Sequence, residues 1–225
     1  MNKYKIVFIG LLIISVIVVS SFFVFNHFTN KNVLVEDVNQ NLDLNGKLPK
    51  CFLSKHSEFG ERQVADKFTK SDSCVLEIGG GAGNVSTVVQ RKLNNKKDHV
   101  VIQPMEGDNI MFGGLSELKK NKSSCNSEYQ IIDHVLAKGE GKKLLGMVSK
   151  PFDTIIVDCE GCLTGEYEKN PELFDHVTQI QVERDDCLTP TSSCHYEDLF
   201  NKLGMKLVHI GLGCGTTCET HVYER

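Results

Sequence analysis

One short stretch constrains this chain more than any other: "SCVLEIGGGAGNVSTVV", residues 73–89, in which five of the eight residues after Leu76 are glycine or alanine. Val75, Leu76 and Ile78 read as a short buried strand, and in "NVSTVVQRKL" Val85, Val88, Val89 and Leu93 share one helical face. Between them, glycine lets the chain turn sharply and lets a ligand approach the backbone without meeting a Cβ. Two phosphate-binding patterns do not fit. A G-x-G-x-x-G fingerprint counted from Gly79 would end on Asn84, and no Gly-Lys-Ser/Thr follows. The spacing present is an acidic residue followed by alternating glycines: Glu77, Gly79, Gly81 and Gly83.

Further apolar runs follow at intervals. "EFGERQVADKF" places Val64, Ala65 and Phe68 at helical spacing. "DHVVIQP", "YQIIDHVLA", "FDTIIVDCEG" and "VTQIQVE" read as strands, with a helix around residues 110–120. "YEDLFNKLG" predicts a helix stopped by Gly204, and "MKLVHIGLG" with "TCETHVYER" predicts a closing hairpin. Strands rich in Val and Ile that alternate with helices imply a doubly wound α/β domain, its sheet mostly parallel and covered on both faces. Ligands of such sheets bind beyond the carboxyl ends of the strands. At the fourth strand Asp158 and Glu160, two residues apart in an extended segment, are expected to point to one side, with Glu183 beside them at the end of the fifth. Such carboxylates can hold a substrate hydroxyl, bind a divalent cation or act as a base.

The E-x-G-x-G-x-G loop after a first strand resembles motif I of class I S-adenosylmethionine-dependent methyltransferases. "FDTIIVDCEG" followed by "IQVE" resembles the FkbM-type branch, and the similarity runs in order from Glu58 to Gly204. The resemblance implies a Rossmann-like sheet of seven strands, S-adenosylmethionine as cofactor, and methyl transfer to an oxygen of a small molecule or glycan. It places Glu77, Gly79, Gly81 and Gly83 against the cofactor, Gln103 at its ribose, Asp133 at its adenine, and Asp158, Glu160 and Glu183 as catalytic candidates. Three positions depart from the family pattern: Gln103 stands for an acidic residue, Ile156 for a Lys and Leu163 for a Glu. The same departures suit the alternative of an inactive binding or scaffolding domain.

Residues 6–25 are 20 residues without a charge, long enough to span a bilayer and longer than the apolar region of a cleaved signal. Lys3 and Lys5 precede the run and Lys31 alone follows closely, which favours a cytosolic tail of residues 1–5 and a lumenal or extracellular remainder. Residues 26–46 are polar and Asn-rich, a stem, so the folded domain is expected over residues 47–225. A net charge of -4 argues against nucleic acid as a partner. The lumenal reading makes disulfides expected among the nine cysteines, Cys187 with Cys194 and Cys214 with Cys218 being close pairs. Cys159-x-x-Cys162 has the spacing of a zinc half-site but no second pair at finger-like spacing, so no metal site is assigned. Two sequons, at Asn84 and Asn121, would be glycosylation acceptors in the lumen, Asn121 being the one expected to be modified.

Overall fold

Each apolar run read as a strand becomes a strand of one sheet in the computed structural model, which describes residues 50–52, 58–104, 114–184, 196–212 and 219–225. The 6–25 run, the whole 26–46 stem, Cys187, Cys194, Cys214 and Cys218 lie outside the described residues. Among the described residues no helix is long and apolar enough to cross a membrane.

In chain order the elements are α1 (Phe59–Phe68), β1 (Val75–Ile78), α2 (Asn84–Lys92), β2 (His99–Ile102), α3 (Leu115–Ser124), β3 (Gln130–Ile132) and α4 (Gly141–Leu145). There follow β4 (Thr154–Val157), α5 (Leu163–Lys169), a single 3-10 turn (Pro171–Phe174), β5 (Gln179–Glu183), α6 (Tyr196–Lys202), β6 (Lys206–Leu212) and β7 (Glu219–Glu224). The sequence reading contains neither α4 nor α5. At 5 and 7 residues they are too short for a helical period to repeat.

The seven strands lie in the order β3-β2-β1-β4-β5-β7-β6. Strands β1 to β5 pair in parallel, while β7 runs antiparallel between β5 and β6. The expected hairpin is therefore present, with its second strand inserted inside the first. β1 is central, Val75 pairing with His99 on one side and Thr154 on the other. Because the chain leaves β1 for β2 in one direction and later returns to β4 in the other, the loops after β1 and β4 emerge side by side, where such sheets bind ligands.

The two faces of the sheet differ in chemistry. One is predominantly apolar: Leu76, Ile78, Val100, Ile155, Val157, Ile180, Val182 and Tyr223 join Leu173, Phe174, Tyr196 and Phe200 in the main core. Each such side chain contributes roughly 1.5–3 kcal/mol by leaving water. On the other face Val75 and Ile156 pack under Ala65 of α1 and Val85, Val88 and Val89 of α2. Polar residues interrupt that second layer, since Glu77, Ile156 and Gln181 lie in one row across β1, β4 and β5.

Candidate functional site

The glycine loop is held from several sides. Gly79, Gly81 and Gly83 have φ of 92°, 47° and 89°, the left-handed region that side chains rarely adopt. At Gly79 close approach is decisive as well, because a Cβ would lie 1.5 Å from the carbonyl oxygen of Asp158. The end of β1 is thereby pressed against the end of β4. Gly79 N–H donates to Ile102 O at 2.9 Å and Gly83 N–H to Gly80 O at 2.7 Å.

Two side chains complete this scaffold, and both change an expectation. Gln103, placed by the resemblance at a ribose, uses its Oε1 to accept from Gly81 N–H at 2.9 Å. Its carbonyl shapes the loop, and a neutral amide does so without adding charge. Asn121, expected to carry a glycan in a polar loop, lies on the inner side of α3, fully buried, and donates from Nδ2 to Ala82 O at 2.9 Å. A buried amide committed to the loop is no acceptor for a glycan. The signal for this role is Leu118, three residues earlier, which is buried on the same helix. Asn84, expected to be unmodified, is also fully buried.

Glu77 is 2% exposed and served by protein: Ser86 Oγ donates to one oxygen at 2.8 Å and His99 Nε2 lies 2.9 Å from the other. His99 was not singled out from the sequence, although it is two residues before Val101 on the same side of β2. Glu77 is thus fixed by protein groups while it lines the cleft described next.

In front of the loop lies a cleft lined by Glu58, Glu61, Glu77, Asp158 and Glu183, with Gly79, Gly80, Gln181 and Thr220 among its other walls. Among the described residues no Lys, Arg or His lines it. Asp158 and Glu183 come together as expected from the strand ends. Glu160 does not join them: β4 ends at Val157, Glu160 has a φ of 52°, and its side chain is exposed. The alternation argument fails because the chain leaves the extended conformation before the pair is complete. The Cys159–Cys162 disulfide closes that turn, which places neither sulfur with a second zinc half-site. Asp133 is also exposed, in ion-pair range of Lys119 at 3.5 Å and His134 at 3.6 Å.

Glu58, just before α1, and Glu61, in its first turn, carry no signal in the sequence pattern. Glu58 precedes the helix with a φ of 30°, a strained conformation for a residue with a Cβ. Burial, with the charges of Asp158 and Glu77, pushes its carboxyl up to about 7. Burial first, then Asp158 and Glu58, raises Glu61 well above the carboxylate range. Burial and a hydrogen bond with Glu183 do the same for Asp158. One oxygen each from Glu61, Asp158 and Glu183 lies within 4.8 Å of the others. At an effective dielectric of about 20, two unit charges at such a distance repel by roughly 3.5 kcal/mol. Burial and this repulsion both favour the protonated form of these carboxyls.

No protein-family model matches the chain, and no curated protein matches it in sequence. Solved structures do match in fold. Sp1610 from Streptococcus pneumoniae, in complex with S-adenosyl-L-methionine, aligns with a TM-score of 0.50 at 16% identity over 72% of this chain and 70% of its own. The precorrin-6y C5,15-methyltransferase of Geobacter metallireducens aligns at 0.52 and 12% identity over 80% and 92%. Cofactor-bound Rv0187 from MTB aligns at 0.52 and 12% identity over 80% and 84%. The fold is thus the Rossmann-like sheet shared with methyltransferases.

Proposed function

We propose that this chain is an S-adenosylmethionine-dependent methyltransferase of FkbM type, acting on a hydroxyl of a small molecule or glycan. The observation that carries the reading is the juxtaposition of a braced, glycine-rich loop with an acidic cleft that has no cationic wall among the described residues. A ligand with a sulfonium and an ammonium group suits that donor set, whereas a pyrophosphate would be repelled by it. The same fold in Sp1610 accommodates S-adenosyl-L-methionine.

Residues 79–83 would hold the cofactor through their backbone, with Glu58 and Asp158 facing its positive end and Glu77 lining the same cleft. Bound there, the cofactor supplies an electrophilic methyl group. The chain's own task is then alignment and exclusion of water. Asp158 and Glu183 share one side of the cleft and are the groups placed to receive the proton of an acceptor hydroxyl. A binding domain without turnover is the competing reading, favoured by Gln103, whose carbonyl oxygen is used inside the protein. Calorimetric titration of the full chain tests the reading. S-adenosylmethionine should bind, and Gly81→Val, which forces a β-branched residue into a φ of 47°, should abolish binding. Undiminished binding in Gly81→Val would place the ligand elsewhere.

The reading includes a membrane anchor at residues 6–25 and a lumenal domain. Two disulfides among the described residues, Cys51–Cys125 and Cys159–Cys162, support an oxidising compartment. In sealed microsomes the domain should resist added protease; digestion without detergent would reverse the orientation.

A further inference from the structure

We propose that the cleft under α1 contains a divalent-cation site, formed by the carboxylates of Glu61, Asp158 and Glu183 and completed by the side-chain oxygens of Gln181 and Thr220. Hard divalent ions bind oxygen at about 2.0–2.6 Å, so donors on opposite sides of one ion are separated by roughly 4–5 Å. The three carboxylates offer oxygens within 4.8 Å of one another and so fit one coordination sphere.

Acidic side chains alone would not single out an ion. The independent observation is a pair of neutral oxygens on the strands beside them. Among the described residues Gln181 Oε1 and Thr220 Oγ1 have no hydrogen-bond partner, although their residues are 1% and 4% exposed, and both residues line the same cleft. Buried polar atoms are almost always paired, and leaving one unmade costs about as much as a lost hydrogen bond. The amide nitrogen of Gln181 is committed to Thr69 Oγ1 and Gln179 Oε1. Its oxygen is consequently the end left to the cleft. Thr220 pairs directly with Glu183 across β5 and β7, and Gln181 lies two residues before Glu183, so all three share one face of the sheet.

The donor set also selects the ion. It is all oxygen, with carboxylates dominant and no imidazole or thiolate, which favours Mg2+, Mn2+ or Ca2+ over zinc or copper. Glu77 is excluded because Ser86 and His99 occupy its oxygens, and Glu160 because it is exposed beyond the turn. An ion held here would polarise a hydroxyl entering its open position, in place of direct proton transfer to Asp158 or Glu183. That consequence rests on the proposed function; the site itself does not.

The test counts ions with no nucleoside present, so its result stands apart from cofactor binding. The full chain is stripped with a chelator, returned to chelator-free buffer and titrated with Mn2+, free ion being measured by electron paramagnetic resonance. One ion per chain should be retained and displaced by Mg2+ or Ca2+. Glu61→Gln, which keeps side-chain volume, should weaken binding by roughly tenfold or more. Thr220→Val should weaken it less, and Glu160→Gln should leave it unchanged. Should Glu61→Gln fail to fold by circular dichroism, Asp158→Asn and Thr220→Val decide by the same criterion. Absence of a stoichiometric Mn2+ site, or a site indifferent to these substitutions, overturns the inference.

Discussion

At the scale of single residues, Gly79 links the two halves of the site. It has a left-handed φ of 92° and no room for a Cβ, the nearest atom being the Asp158 carbonyl oxygen at 1.5 Å. Gly161 has a similar φ of 90°, but a Cβ there would meet nothing within 4 Å. The pair separates clash from backbone strain. Gly161→Ala should cost about 1–2 kcal/mol, the strain alone. Gly79→Ala should cost at least about 3 kcal/mol, because backbone must move. Urea unfolding measures both; equal costs would mean that the β1 and β4 ends are not in contact. Cys74 belongs to this scale too. Fully buried and free, with burial pushing its thiol up to about 12, it is packing material and not a nucleophile.

At the scale of elements, α1 lies over strand ends whose carboxylates repel its own. Glu58 has its carboxyl raised from 4.5 to about 7, and Glu61 and Asp158 shift in the same direction. A carboxyl raised by folding keeps its proton longer in the folded chain. Its contribution to stability is fully present below the unfolded value of 4.5 and is lost as pH rises through about 7. In chelator, the urea midpoint should therefore fall as pH rises from 4.5 to about 7, a window set by the Glu58 shift, and Glu58→Gln should flatten that fall. A midpoint rising across the window in both proteins would contradict the buried acidic cleft. The strands were legible in the sequence because apolar runs ending in glycine, proline or acid declare themselves. So were the loop and the proximity of Asp158 to Glu183, since parallel strands bring their carboxyl ends together. What the sequence could not reveal depends on packing between distant elements: Glu58 and Glu61 meet β4 only once α1 docks. Asn121 reads as a sequon until α3 turns it inward. Glu160 was misplaced because alternation holds only while the strand continues, and β4 stops at Val157.

At the scale of the whole molecule, a glycine loop and an acidic cleft stand together at the point where the sheet's connections reverse direction. The apolar face of the sheet supplies most of the core, which leaves the face under α1 free to carry polar groups. Methyl transfer follows from that arrangement only if the loop receives the cofactor, because one fold serves many chemistries. The most direct measurement is calorimetric titration of the full chain with S-adenosylmethionine and its demethylated product. One molecule should bind per chain, with the two ligands competing for a single site. No binding of either at millimolar concentration would contradict it.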